Sequence, residues 1–337
     1  MKKIGFLFGK EIDFSLSVME RINDKNISDV KVEPICIGIL DTNSKSDYAV
    51  ILDRFSYFVP FYKSALRYFE QNGVTVVNTP DVEVANDEFS YLIKLKALKL
   101  NIPETAIFPS KSLPYGVNGD EMQNLQYPLD WESMFATIEF PANIKSNNSN
   151  DFYDCFRIYN KQDFYFIYDM SGTNTLVLQE CIDTQNNFRI FVVGDEKLFL
   201  NYELHKPPKD RYSASSFVPD KKLGSEIDKA IDTIRQCFSM DMFIVDVAIT
   251  DKVYILNVGL FSMNINNLIL PGVCYDWLVE KTANMLIDKA LGSAKPKKAA
   301  AAKEEAPAKA ATVKAKATTA KTTTPKSAAT KTKSVRK

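Results

Sequence analysis

The chain of 337 residues is 45% hydrophobic and 25% charged, with 42 basic residues against 42 acidic ones. This is the composition of an ordinary globular protein about two domains long, and it excludes a wholly disordered or fibrous chain. The balance hides a split, because residues 293–337 hold 13 Lys and Arg against 2 Asp and Glu, which leaves 29 against 40 in residues 1–292.

Residues 3–8 read as a buried strand ending at Gly9, and Phe14, Val18 and Ile22 then repeat at the spacing of one helical face. Residues 35–40 and 49–52 are further short apolar runs, and residues 62–71 read as a helix closed by Asn72-Gly73 before a strand over 74–77. This alternation predicts an α/β unit with a mostly parallel sheet. A helix-rich stretch follows over residues 84–100, stopped by Asn101 and Pro103, and then a strand over 105–108.

The next thirty residues are rich in Pro and Gly and lead to a helix over 131–138. Strands are predicted over 140–145, 176–182 and 188–193, and an amphipathic helix over 223–238. Residues 242–249 and 253–258 are β-rich runs flanking Asp251-Lys252, read as a two-residue hairpin loop, and a last helix covers 275–291. From Gly292 onward the composition turns to Ala, Lys and Thr with no aromatic residue. A segment of that kind buries too little apolar area to offset its ordering entropy, so disorder is predicted for residues 292–337. Such a lysine density attracts polyanions by counterion release, which makes nonspecific nucleic acid a candidate partner of residues 293–337.

Five scattered cysteines, Cys36, Cys155, Cys181, Cys237 and Cys274, include no Cys-x-x-Cys pair. They argue against a disulfide framework and a zinc site and for a reducing, cytoplasmic setting. The apolar run that follows Met1 is cut short by Lys10 and Glu11, too early for a secretory signal, and no stretch approaches a membrane span. The single histidine, His205, lies in a polar stretch and reads as a surface residue.

An ordered set of short motifs resembles the ATP-grasp ligases over residues 1–291. Asp53-Arg54-Phe55-Ser56, Pro60-Phe61-Tyr62, Val77-Asn78-Thr79-Pro80, Ala85-Asn86-Asp87 and Asn101-Ile102-Pro103-Glu104-Thr105 are similar to the N-terminal domain and linker of that superfamily. Phe140-Pro141-Ala142-Asn143-Ile144-Lys145 resembles its phosphate-contacting lysine strand, Leu178-Gln179-Glu180-Cys181-Ile182 its adenine hinge, and Phe188-Arg189-Ile190-Phe191 the strand after it. Within the superfamily the set most resembles ligases of the ribosomal-protein-modification and glutathione-synthetase type. The resemblance implies an α/β ATP-grasp architecture with a Rossmann-like N-terminal domain over 1–110, a nucleotide-binding domain over 111–291 and a tail over 292–337. It also implies ATP and Mg²⁺ as cofactors, an unidentified carboxylate as substrate, and an acyl phosphate attacked by an amine or thiol. Lys145, Gln179, Glu180, Ile182 and Arg189 are then the nucleotide-binding candidates, with Arg189 and Arg54 the candidates for catalysis.

Elementary chemistry gives these residues roles. Lys145 suits a point-charge contact with phosphate, Glu180 can accept from an amino group, and Arg189 can clamp a phosphate or neutralise Glu180 or Asp183. With Asp251-Lys252 as the loop, Asp246 falls opposite Asn257, Cβ atoms roughly 5 Å apart, as a candidate Mg²⁺ pair. Three departures weaken the site. Asn257 replaces a second carboxylate, the run Ser146-Asn147-Asn148-Ser149-Asn150 replaces a glycine-rich loop, and Glu88 stands where the ligases commonly have a lysine. The expectation is a nucleotide-binding protein of ligase lineage with weakened or lost catalysis; the alternative is a scaffold or nucleic-acid-associated protein acting through its basic tail.

Overall fold

The computed structural model describes residues 1–81, 87–148, 155–214, 219–260, 265 and 267–292. Residues 1–295 form one compact unit; the disorder expected of residues 293–337 lies outside the described residues, as does the predicted start of the helix near Val84.

Four parallel strands, β1 (Lys2–Leu7), β2 (Val30–Pro34), β3 (Tyr48–Asp53) and β4 (Thr75–Val77), form a sheet in the order β2-β1-β3-β4. The helix α1 (Asp13–Asp24) lays Phe14, Val18 and Ile22 on one face of this sheet, and α2 (Pro60–Gln71) buries Ala65, Leu66 and Phe69 on the other. Pro60 opens α2 at a position whose N–H has no helical acceptor, and Gly73 follows its end at φ 88°, a left-handed conformation that glycine adopts without strain. The second strand lies at Val30–Pro34 and the apolar run 35–40 forms no strand. An edge strand written Val-Lys-Val-Glu has one solvated face, so its apolar signal is weaker than that of the run beside it.

A five-stranded antiparallel sheet follows: β9 (Asn187–Val193), β10 (Glu196–Tyr202), β11 (Tyr212–Ala214), β12 (Met242–Ile249) and β13 (Val253–Leu260), ordered β11-β10-β9-β12-β13. Every residue of β12 is buried because both faces are covered. The helices α3 (Glu88–Ala97) and α6 (Lys221–Phe238) cover one and α7 (Gly272–Leu291) the other, with α7 also packing on β1, β3 and α1. Asn78, at φ 57°, fastens the two sheets: its Oδ1 accepts from the Met242 and Asp241 amides at 3.0 and 3.2 Å, and its Nδ2 donates to the Met242 carbonyl.

The β12–β13 hairpin corrects the two-residue loop expected at its tip. Ile249 pairs with Val253, so Thr250, Asp251 and Lys252 form a three-residue loop, and the Thr250 amide donates to the Lys252 carbonyl at 3.0 Å. The register slips between Val247↔Ile255 and Asp246↔Asn257, leaving Leu256 as the extra residue of a β-bulge. Loop and bulge each shift the register by one and cancel, so Asp246 still faces Asn257.

A third, four-stranded sheet is ordered β5-β8-β6-β7, from β5 (Thr105–Phe108), β6 (Ala142–Ser146), β7 (Phe156–Ile158) and β8 (Leu176–Glu180), all antiparallel. Its outer face packs on α4 (Trp131–Thr137) and α5 (Lys161–Met170) through Phe108, Trp131, Phe135 and Phe164. No helix is long and apolar enough to cross a membrane among the described residues, and all five cysteines are free.

Beyond β1 and β3, the Arg54 guanidinium is buried against Glu11 and over the Phe14 ring at 4.7 Å. Burial pushes the Glu11 carboxyl up to about 7 against the pull of Arg54, with Asp13 adding to the rise. The folded protein therefore keeps a proton between pH 4.5 and 7 that the unfolded chain has lost, and stability declines as pH rises through that window. Allowing for the partial exposure of Glu11, the decline attributable to it is on the order of 1–2 kcal/mol. Thermal melting at pH 5 and 7.5 is expected to show it, with the slope flattened in Glu11→Gln; an unchanged slope in that variant would rule out Glu11 as the source.

Candidate functional site

A cleft of about 600 Å³ lies between the third sheet and the central one. Strand alternation builds one wall: Asn143 and Lys145 on β6, Cys155 and Arg157 at β7, and Gln179 and Cys181 at β8 face the cleft. Ile144, Ile158 and Leu178 point the other way into the aromatic core. Phe188, Asp246, Val247, Leu256 and Asn257 supply the opposite wall.

Lys145 is buried and its Nζ is ion-paired with Glu88, also buried, while donating to Gln179 Oε1 at 3.2 Å. Burial opposes the Lys145 charge, but Glu88 first, then Cys155 and Asp246, together outweigh it, so the ammonium is held above its ordinary range. Burial raises Glu88 in turn, against the pull of Lys145 and with the Asp246 charge adding to the rise. Glu88 reaches this place because Asn147 grips the start of α3. The Glu88 amide donates to the Asn147 carbonyl at 2.9 Å, the Phe89 amide to Asn147 Oδ1 at 2.8 Å, and Asn147 Nδ2 donates to Asp87 at 3.1 Å. Asp87 is also the helix cap, accepting from the Ser90 amide at 3.1 Å. The asparagine run after Lys145 thus occupies helix N-terminal donors that would otherwise be open to an anion.

Arg189 forms the second buried pair. Its Nε donates to Asp246 Oδ1 at 2.6 Å and its Nη2 to Asp246 Oδ2 at 2.9 Å, a bidentate fork. Nη1 donates to the Tyr212 hydroxyl at 2.5 Å, and the guanidinium stacks on the Tyr202 ring at 3.9 Å. Burial opposes the Arg189 charge, but Asp246 first, with Tyr202 and Tyr212, outweighs it, so the guanidinium is held above its ordinary range. Across the hairpin, Asn257 turns its Nδ2 to Asp246 at 3.4 Å, while its Oδ1 accepts from the Tyr91 hydroxyl at 2.9 Å. Tyr91 in turn accepts from the Val258 amide at 3.2 Å, which closes the network.

The donor set does not fit Mg²⁺ as arranged. Both Asp246 oxygens lie in the Arg189 fork, and the Asn257 oxygen is taken by Tyr91. Among the described residues no cluster of three His, Cys, Asp or Glu offers a metal site. Asp246 and Asn257 do face each other as the hairpin reading expects, but the cation opposite them is Arg189, which neutralises Asp246 rather than Glu180 or Asp183.

Of the other candidates, Lys145, Gln179 and Ile182 line the cleft, whereas Glu180, Arg189 and Arg54 do not. The Glu180 carboxylate accepts from the Glu104 amide at 3.1 Å, which ties the end of β8 to the residue that leads into β5. Burial pushes the Cys155 thiol up to about 12, against the pull of Lys145, so it is no nucleophile at neutral pH. Tyr91 and Arg157 belong to the site and were not singled out for it from sequence, and Asn147 was read only as part of the run that replaces a glycine-rich loop. The two-residue period places Arg157 beside Asn143 only after β7 is recognised.

No protein-family model matches this chain, and no curated protein does. Solved structures do match. A RimK domain protein of ATP-grasp type from Sphaerobacter thermophilus is 15% identical with a TM-score of 0.59, covering 86% of this chain and 100% of its own. D-alanine–D-alanine ligase from Bacillus anthracis, in complex with ATP, is 14% identical at TM-score 0.56, covering 87% and 98%. N5-carboxyaminoimidazole ribonucleotide synthetase from Thermotoga maritima is 14% identical at TM-score 0.57, covering 86% and 76%. Three sheets in this order, a lysine strand facing a charged hairpin across a cleft, and these likenesses together establish that the chain has the ATP-grasp fold.

Proposed function

We propose that this is a nucleotide-type binding protein descended from ATP-dependent carboxylate–amine or carboxylate–thiol ligases, in which acyl-phosphate chemistry has been lost. The observation that carries this reading is the double neutralisation of the cleft: Glu88 holds Lys145 and Arg189 holds Asp246. The first pair occupies the ammonium suited to phosphate, and the second occupies the carboxylate suited to the metal. Phosphoryl transfer depends on both kinds of contact stabilising developing charge. In this reading residues 1–110 are the N-terminal domain, residues 111–291 the nucleotide-type domain, and the setting is cytoplasmic. Residues 293–337 add a salt-sensitive, nonspecific contact with nucleic acid, a reading supported by their 13 basic residues.

Calorimetric titration with ATP, with and without Mg²⁺, tests the loss. Magnesium is expected to change the affinity by less than about 3-fold, which by the relation of affinity to free energy is under about 0.7 kcal/mol, and no phosphate should be released with added carboxylates. Tenfold tighter binding with Mg²⁺, together with ATP consumption, would reverse the conclusion.

A further inference from the structure

We infer that the cleft takes an uncharged nucleoside in preference to a nucleoside polyphosphate, a reading that rests on the cleft being a nucleotide-type site. Charge is the first ground. The lining cations are Lys145, Arg157 and Lys206, and the lining anions are Asp183, Glu203 and Asp246. The partners immediately behind the walls, Glu88 and Arg189, add one charge of each sign, and Lys206 is paired with Glu203 at 2.6 Å. At the mouth, burial and then Arg157 and Arg211 hold His205 below its ordinary range, neutral at pH 7.

Among the described residues the cleft lining therefore offers a polyphosphate no surplus of positive charge, and the Arg211 side chain at the mouth donates to the Lys206 carbonyl at 2.8 Å. Lys145 gives two of its three donors to Glu88 and Gln179, and a phosphate that drew the ammonium away from Glu88 would leave a buried carboxylate without its cation, which is strongly destabilising. The N-terminal amides of α3, the other natural anion donors nearby, are held by Asn147.

The chemistry of the wall is the second ground. Five carboxamides line the cleft, Asn143, Gln179, Gln185, Asn187 and Asn257, each offering a donor and an acceptor. These are the groups that pair with the edges of nucleobases. Gln179 and Asn257 are engaged in the networks above, and Asn187 Nδ2 donates to the Thr184 carbonyl at 2.8 Å, which leaves Asn143, Gln185 and the Asn187 Oδ1 to meet a ligand. The Asn143 Oδ1 is buried with no hydrogen-bond donor among the described residues, the kind of acceptor an amino group on a base would satisfy. Phe188, Val247 and Leu256 give the ring an apolar surface, and about 600 Å³ is ample for a nucleoside.

The test is calorimetric titration of the full chain in 0.3 M NaCl without Mg²⁺, a salt level that screens the basic tail. The probes are adenosine, guanosine, cytidine and uridine, each beside its triphosphate. At least one nucleoside is expected to bind 10-fold or more tightly than its triphosphate. Glu88→Gln, which removes the carboxylate that occupies Lys145, is expected to narrow that gap about 10-fold. Triphosphates binding more tightly than every nucleoside in the wild-type protein would overturn the inference and leave the nucleotide-type reading standing. Binding of neither class would overturn both. The wild-type comparison decides the point even if Glu88→Gln fails to fold.

Discussion

Arg189→Ala is expected to destabilise the protein by about 3–5 kcal/mol, because it leaves the Asp246 carboxylate buried without its cation. Asp246 is 3% exposed and Arg189 5%, so water cannot replace the lost partner at either end. The substitution also removes the cation from the Tyr202 face and the donor from the Tyr212 hydroxyl. Asp246→Leu combined with Arg189→Met is expected to recover most of the loss, since a buried ion pair replaced by apolar residues of similar size is often neutral or better. Urea denaturation followed by fluorescence measures both variants. A cost below about 1 kcal/mol for Arg189→Ala would mean that the pair is solvated in solution, and the account of the neutralised carboxylate would fall with it.

Phe164→Ala carries a comparable cost, about 3–5 kcal/mol, by cavity formation. The ring is fully buried and is surrounded by Phe108, Trp131, Phe135 and Tyr168, with centroids at 5.3, 5.3, 5.0 and 6.0 Å. Four rigid rings fixed by their own backbones collapse poorly into a void. The loss is expected to be felt at the cleft as well, since this core backs β6 and β8, which carry Lys145 and Gln179 on their opposite face. Near-ultraviolet circular dichroism should report loosened Trp131 packing, and Phe164→Leu should lose less than half as much. Equal losses for Ala and Leu would show that packing volume is not what the ring supplies.

Most of the architecture was legible wherever burial left a strong period. The α6 face, the continuous apolar run of β12 and the strand carrying Lys145 were placed within a few residues. Elements without such a period were missed. The strand β7 is three residues long, with Phe156 and Arg157 exposed. The helix α5 buries Phe164 alone among its ten residues, and β10 alternates only near its end.

The site was legible in its members and not in its pairings. Glu88 stood out as a charge of the wrong sign for phosphate, yet nothing local in sequence says that it reaches Lys145, 57 positions away. That contact depends on how α3 docks, and the docking is set by Asn147, read from sequence only as an obstruction to phosphate. In the same way Arg189 was assigned a phosphate or a nearby acid, because Asp246 becomes its neighbour only through the pairing of β9 with β12.

The bulge at Leu256 has a consequence for how the hairpin tolerates change. Expelled from the ladder, the Leu256 carbonyl accepts from Gln179 Nε2 at 3.3 Å, so the two walls of the cleft are joined at one point by main chain. A main-chain acceptor is indifferent to the side chain at its position, so substitution of Leu256 changes the apolar lining of the cleft while the fastening persists. Deletion is another matter: it would restore an unbroken ladder and keep Asp246 across from Asn257, yet withdraw the carbonyl and release one wall from the other. The hairpin is therefore robust to exchange of residues and fragile to loss of one, and the width of the cleft is inherited through chain length more than through side-chain identity.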